Sequence, residues 1–478
     1  MNYLLNRGEK FMFIGREYEI NALNKLYSKE EFQFIVMYGR RRVGKTTLLS
    51  EFCNNKPAIF FVAEEYNSSL SLRNFSKQIL EYFKMTDYIS TFESWEKAFM
   101  FLAKESEDKQ LILVVDEFPY LVQSNNTLPS LLQNLIDHYL KKTKLFIVVC
   151  GSSMSFMEKE VLSYKSPLFG RRTAQMLIEP FDFYNSSKFF PKYSFNERVM
   201  TYGIIGGIPQ YLEKFNEKNT IEDNIKQELL DKSSYLYEEP KNLLKQELRE
   251  PAVYNSIIEA IANGYTKINE ISTKIGEPKD KCSKYLSSLI DLHIVSKETP
   301  IMEKENSRKS IYKLNDNLFK FYYNFIFSNK SLIEQHMGDF LYEKKIEPQI
   351  PKYLGEIFEK VCIDFMNYQN RNGDLPFIYT NIGRWWGNNP KTKKQEEIDI
   401  VAIDDTMILF GECKWRNEKL DMDVVNSLIK KSEINVFEKF QKKFYSFFSK
   451  SGFTDSVKDY SNNNKNILLF GPEELIGD

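Results

Sequence analysis

Near the N-terminus an apolar run, a glycine-bounded loop and the first turns of a helix follow one another directly. They are Phe34-Ile35-Val36-Met37-Tyr38, then Gly39-Arg40-Arg41-Arg42-Val43-Gly44-Lys45-Thr46, then Thr47-Leu48-Leu49-Ser50-Glu51-Phe52. This order constrains the chain more than any other feature. It needs a buried strand that feeds a helix through a loop shaped by glycine. Backbone N–H groups of such a loop close around phosphate oxygens, and the helix N-terminus adds a positive dipole end. Lys45 is expected to reach the β- and γ-phosphates of a nucleoside triphosphate and Thr46 to hold Mg²⁺.

The loop needs an acidic partner on another strand, and Leu111-Ile112-Leu113-Val114-Val115-Asp116-Glu117 supplies one. An apolar strand ending in two acids places Asp116 beside Thr46 in the Mg²⁺ shell. Glu117 then orients and deprotonates the attacking water.

Length and composition bound the rest. A chain of 478 residues suffices for about three domains. Hydrophobic residues at 42% and aromatics at 15% provide for packed cores. The 65 basic and 66 acidic residues nearly cancel, so a nucleic-acid contact would need a local patch. The five cysteines are scattered without a C-x-x-C pair, which points to a reducing compartment and away from zinc. With three histidines, any metal centre is expected to be oxygen-ligated Mg²⁺ or Mn²⁺. No apolar run reaches membrane-spanning length and no signal-peptide order is seen, so the expectation is a soluble cytoplasmic protein without membrane partners.

The pattern along the chain predicts an α/β fold. Residues 1–180 read as a P-loop ATPase core with a parallel sheet, strands being expected at Phe34–Tyr38, Ala58–Ala63, Leu111–Val115, Leu145–Cys150 and Gln175–Ile178. Residues 181–248 read as a helical lid broken at Gly206-Gly207-Ile208-Pro209. Residues 249–345 read as a winged-helix domain and an aromatic-rich helical connector. Residues 346–478 read as a last α/β domain.

That last domain holds a second constellation. The strand Glu397-Ile398-Asp399-Ile400-Val401-Ala402-Ile403, the turn Asp404-Asp405 and the strand into Gly411-Glu412-Cys413-Lys414-Trp415 form an expected hairpin. Side chains alternate along a strand, so Glu412 and Lys414 share a face, and pairing can bring Asp399 beside them. Two carboxylates and a lysine there could hold a divalent ion and position a water for attack on phosphorus. A helix over Leu354–Val361 could add Glu359 or Glu356.

This constellation resembles the PD-(D/E)xK nuclease core. The resemblance implies that Asp399 and Glu412 hold Mg²⁺ or Mn²⁺, aided by the Cys413 carbonyl. It also implies that Lys414 assists the water or the developing charge, and that Glu359 is the helix acid. An inactive nuclease fold used only for binding is the competing expectation.

Further segments widen the resemblance. They are Phe13-Ile14-Gly15-Arg16-Glu17-Tyr18-Glu19, Val115-Asp116-Glu117-Phe118-Pro119-Tyr120, Cys150-Gly151-Ser152-Ser153, Leu168-Phe169-Gly170-Arg171-Arg172-Thr173, Gly206-Gly207-Ile208-Pro209 and Arg249-Glu250-Pro251-Ala252-Val253-Tyr254. The chain resembles archaeal and bacterial P-loop ATPases of the AAA+/STAND-like branch related to origin-recognition ATPases, with a C-terminal PD-(D/E)xK-like domain. The resemblance implies that Gly15 and Arg16 lie by the adenine end and that Ser152 or Ser153 takes the sensor position. Arg171 or Arg172 would reach a neighbouring subunit's phosphate in a homo-oligomer; an ordinary salt bridge is the alternative. Arg40, Arg41 and Arg42 within the loop could meet phosphates, a partner acid or DNA, with solvated loop-tip charges the expected outcome.

DNA is the expected macromolecular partner. Lys279, Lys281, Ser283 and Lys284 begin the helix placed to meet a major groove, and Lys304, Arg308 and Lys309 lie on the wing. Lys391, Lys393 and Lys394 could guide a backbone toward the acids. Trp385-Trp386 read as packing. Together these expectations describe an ATPase coupled to DNA binding and metal-dependent cleavage. The alternative is a nucleotide-controlled DNA-binding regulator with an inactive nuclease fold.

Overall fold

The apolar runs of the N-terminal segment become a five-stranded, all-parallel sheet in the order β2-β3-β4-β1-β5. The computed structural model describes residues 13–304, 307–389 and 393–476. Its chain divides into two compact units, one comprising Met1–Phe181 and Ile208–Gln210, the other Asp182–Gly207 and Tyr211–Asp478.

In the first unit the strands are β1 (Gln33–Tyr38), β2 (Ala58–Val62), β3 (Leu111–Asp116), β4 (Leu145–Gly151) and β5 (Ala174–Leu177). The three central strands β1, β3 and β4 are buried at every position, as a parallel sheet covered on both faces requires. The edge strands β2 and β5 alternate between more and less exposed residues instead. Helices α1 (Glu17–Tyr27), α2 (Lys45–Cys53), α3 (Ser68–Tyr82), α4 (Trp95–Glu105), α5 (Phe118–Ser124) and α6 (Leu128–His138) accompany the strands. The Asn67 and Ser94 side chains cap α3 and α4 by accepting from Leu70 N and Lys97 N, satisfying N–H groups that lack helical partners. Phe75, Trp95 and Phe99 from these helices pack into one core with β3 and β4.

The second unit begins with helices, among them α7 (Phe195–Ile205), which opens with a reciprocal Ser194–Glu197 capping box. Then come α8 (Pro251–Ala262), α9 (Ile268–Ile275) and α10 (Lys279–Asp291), followed by the antiparallel pair β6 (Val295–Glu298) and β7 (Ile311–Leu314). This is winged-helix order. The aromatic-rich stretch after it is broken into short α, π and 3₁₀ turns from Asn317–Phe321 to Glu347–Gln349.

The long helix α11 (Ile350–Asn372) leads to a second five-stranded sheet, in the order β12-β11-β10-β9-β8. Its strands are β8 (Asn381–Asn388), β9 (Gln395–Ile403), β10 (Met407–Lys414), β11 (Lys442–Ser449) and β12 (Ile467–Phe470). β8, β9 and β10 form an antiparallel meander, and β11 and β12 add in parallel. Between β10 and β11 lies α12 (Met422–Lys431). The Asp404 carboxylate closes the β9–β10 turn by accepting from Thr406 N at 2.7 Å and Met407 N at 2.6 Å, as a turn aspartate does.

The wing rests on this sheet. Ile301 N donates to Arg384 O at 2.9 Å, Trp386 Nε1 donates to Lys309 O at 3.3 Å, and Ile301 and Met302 pack on the C-terminal core. Trp385 lies in that core, its ring centroid 5.0 Å from that of Phe437.

Candidate functional site

The N-terminal site is built where β1, β3 and β4 end. Gly39 has φ 157°, and a Cβ there would stand 2.3 Å from Ile178 O. Gly44, at φ 88°, takes the left-handed position that starts α2. Between them the loop folds inward. Lys45 is buried, and its Nζ donates to Gly39 O at 2.8 Å and Arg40 O at 3.0 Å. Thr46 Oγ1 donates to Asp116 Oδ2 at 2.6 Å, so the loop hydroxyl and the strand-end acid expected around Mg²⁺ are already in contact. A hydroxyl and a carboxylate are hard oxygen donors of the kind that Mg²⁺ accepts.

Glu117 is held at φ 53°, in the left-handed region that few side chains adopt. Its carboxylate accepts from Ser152 Oγ at 2.9 Å. The acid expected at the water and one of the two serines expected at the sensor position therefore meet. Arg16 donates through Nη2 to Val43 O at 3.0 Å and to Glu179 O at 2.6 Å, and stacks 4.3 Å over Phe181. It thus braces the loop backbone as well as lying at the site's edge.

Two expectations need adjustment. Arg40, Arg41 and Arg42 are not solvated loop-tip charges. Arg40 is 1% exposed and the other two are half-buried; the glycines at the two ends of the loop face Ile178 and Pro209. Arg41 Nη2 reaches Tyr120 Oη at 3.5 Å. Arg171 is ion-paired with Asp137 at 2.9 Å, the salt bridge weighed against the finger reading. Arg172 donates to Leu162 O and lies over Phe169.

The C-terminal site forms at the end of the β9–β10 ladder, just beyond the Ile400–Gly411 pair. Asp399 Oδ2 accepts from Cys413 N at 2.9 Å. Glu412 is buried, and Lys414 Nζ donates to its Oε1 at 2.6 Å, so the two share a face as the alternation predicts. Its other oxygen accepts from Lys431 Nζ at 3.3 Å, at the end of α12. Burial and then the neighbouring Glu412 raise the Asp399 pKa. Burial opposes the charge on Lys414, but Glu412 outweighs it and the ammonium pKa rises.

Of the two helix acids, Glu356 is exposed and bound to Lys320 at 2.6 Å. Glu359 turns toward Arg384, 3.3 Å from its Nε, and its pKa is raised by burial and then by Asp399. Arg384 also meets Glu298 of β6 at 3.4 Å and Glu397. Among the described residues no group of three or more His, Cys, Asp or Glu side chains is gathered closely enough to hold a metal ion. Two adjacent carboxylates, Asp399 and Glu412, remain, with the Cys413 main chain between them. That oxygen set suits a hard divalent ion.

The basic residues proposed for DNA are partly engaged: Lys281 pairs with Glu277 at 2.9 Å and Lys309 with Glu303 at 2.7 Å. Lys391 lies outside the described residues, whereas Lys393 and Lys394 are exposed. Lys431 and Arg384 escaped the sequence reading. The one signal for Lys431 was its inward position in the last turn of an amphipathic helix. No helix among the described residues is long and apolar enough to cross a membrane.

The family described as an ATPase domain predominantly from Archaea matches residues 13–215. A second family, archaeal and bacterial proteins of unknown function, matches residues 322–428. The uncharacterized protein MJECL04 of Methanocaldococcus jannaschii is 37% identical over 472 residues, covering 97% of this chain and 100% of its own. The uncharacterized ATP-binding protein MJ1659 of the same organism is 25% identical over 264 residues, 44% of this chain and 72% of that one. Among solved structures, the Walker-type ATPase PABY2304 of Pyrococcus abyssi is 21% identical with a TM-score of 0.49, covering 65% of this chain and 96% of its own. The ORC2 protein of Aeropyrum pernix is 12% identical with a TM-score of 0.42, covering 71% and 98%.

Proposed function

We propose that this chain, which belongs to the family of MJECL04 and carries an ATPase domain of a kind found predominantly in Archaea, couples ATP hydrolysis to DNA binding and metal-dependent DNA cleavage. The observation that carries the cleavage reading is the grouping of Asp399, Glu412 and Lys414 at one hairpin end, with Lys414 Nζ 2.6 Å from Glu412. In this reading residues 1–180 are the ATPase core, 181–248 a helical lid, 249–345 a winged helix with its connector and 346–478 the nuclease region.

At the ATP site, Gly39 to Thr47 cradle the phosphates, Lys45 moves from its loop carbonyls to the β- and γ-phosphates, and Thr46 and Asp116 hold Mg²⁺. Glu117 orients the attacking water, and Ser152 reports on the γ-phosphate by its bond to Glu117. Gly15 and Arg16 close the adenine end, and Arg172, or Arg171 once released from Asp137, serves a neighbouring copy. At the second site Asp399, Glu412 and the Cys413 carbonyl hold Mg²⁺ or Mn²⁺. Such an ion, when bound, lowers the pKa of water and offsets charge at phosphorus. Lys414 steadies the developing charge, and Glu359 supports the set from α11.

The test is DNA cleavage by the full chain with Mn²⁺, with and without ATP. Cleavage that disappears in Asp399→Ala and Glu412→Ala supports the reading. Cleavage that persists in the Asp399→Ala/Glu412→Ala/Lys414→Ala triple variant removes it.

A second reading has its own observation. Glu359 is bound to Arg384, and both Glu412 oxygens meet lysines. A site so neutralised would also suit a nucleotide-controlled DNA-binding regulator that does not cut. No cleavage by the wild type under any metal, with ATP-dependent DNA affinity retained, would select it.

A further inference from the structure

Glu412 is bound twice. Lys414 occupies Oε1 from the same strand, and Lys431 reaches Oε2 at 3.3 Å from the last residue of α12. The Asp421 carboxylate caps the start of that helix by accepting from Val424 N, and Val425 and Leu428 bury one of its faces. Lys431 is thereby carried to the hairpin end. Its neighbour Lys430 is exposed, whereas the Lys431 side chain is 20% exposed. A lysine in a last turn ordinarily complements the helix dipole from solvent. Lys430 suffices for that, and Lys431 gives up hydration to reach an acid that already has a partner.

Lys414 and Lys431 together balance the charges of the neighbouring Asp399 and Glu412, so a divalent ion arriving at these acids would leave a lysine to meet another anion. Glu412 cannot give both oxygens to a metal while both ammonium groups remain on it. Resting on the nuclease reading above, we propose that Lys431 is a substrate-phosphate ligand, parked on Glu412 Oε2 in the absence of DNA. It leaves that oxygen as Glu412 turns to a divalent ion, and it then pairs with a nonbridging oxygen of the scissile phosphodiester. Lys431 and the cation compete for Glu412, and DNA resolves the competition by offering Lys431 another anion. Metal and DNA therefore bind with positive coupling, each raising affinity for the other by the same factor.

The test measures free Mn²⁺ by electron paramagnetic resonance during titration of the full chain without nucleotide. It is run with and without a phosphorothioate DNA duplex that resists cleavage. In the wild type the duplex should tighten Mn²⁺ binding. Lys431→Met should bind Mn²⁺ roughly tenfold more tightly without DNA, since one competing charge is gone, and the duplex should add less than it adds in the wild type. Cleavage of an ordinary duplex at saturating Mn²⁺ should fall, with Lys431→Arg restoring part of it. A merely structural lysine would not tighten metal binding when removed. Unchanged Mn²⁺ affinity in Lys431→Met, with Glu412→Gln losing the site, overturns the role of Lys431 and leaves the nuclease reading intact. Mn²⁺ binding unaffected by Glu412→Gln, with no cleavage by the wild type, overturns both.

Discussion

The two sites solve the same problem, holding phosphate oxygens and a divalent ion, with different materials. The N-terminal site is mainly backbone: a loop fixed by Gly39 and Gly44, a helix end, and few side chains, of which Lys45 rests on loop carbonyls. The C-terminal site is mainly side chains, and its charges neutralise one another across strand, helix and wing. A backbone cradle is ready before its ligand arrives. A side-chain cluster must trade one set of ion pairs for another, so its ligands must displace what is already there.

That contrast can be broken by substitution. Lys45→Ala should reduce ATP hydrolysis on the order of a hundred- to a thousand-fold while leaving DNA cleavage possible, read from phosphate release and from gel assays on one preparation. Loss of both activities would show that the sites are not separable. Conversely, Asp399→Ala should abolish Mn²⁺-dependent cleavage and leave phosphate release unchanged. Glu117→Gln should retain ATP binding in a filter assay but slow turnover on the order of a hundredfold. Turnover at the wild-type rate would remove Glu117 from the water-activating role.

Two smaller effects concern the supports and not the chemistry. Gly39→Ala would push a methyl to 2.3 Å from Ile178 O, and overpacking of this kind costs on the order of 3 kcal/mol, visible as a lower urea midpoint. Asp404→Ala leaves Thr406 N and Met407 N without their carboxylate. A loss of about 1 kcal/mol is expected, with weaker Mn²⁺ binding if the turn aligns Asp399 with Glu412. A larger effect on stability from Asp404→Ala than from Gly39→Ala would reverse the ranking.

The difference between the sites also explains what could be read in advance. The N-terminal cradle is local in sequence, since eight consecutive residues carry it and the spacing of its glycines follows from backbone geometry. Asp116 was recoverable because a fully buried strand is an unbroken apolar run. Asp399, Glu412 and Lys414 were legible through strand alternation. Their surroundings were not, because Arg384 arrives from β8, Lys431 from α12 and Glu359 from α11. No periodicity connects residues that meet only through tertiary packing. Strand β8 was itself missed. Trp385 packs in the core as read, but the Gly and Asn residues around the tryptophan pair concealed a strand. The burial of Arg40 was misread for a related reason: a charged loop looks solvated until its neighbours from elsewhere in the chain are known.

The wing's seat on β8 has a consequence for how the chain survives in concentrated solution. β8 ends its sheet, and an uncovered outermost strand offers a row of N–H and C=O groups on which another copy can build. Ile301 and Lys309 occupy main-chain and side-chain positions along that border. The hairpin thus acts as a selvedge that keeps the fabric from being extended by strangers. A fragment cut at residue 346 would lose it, and should pair with further copies through this strand more readily than the whole chain does.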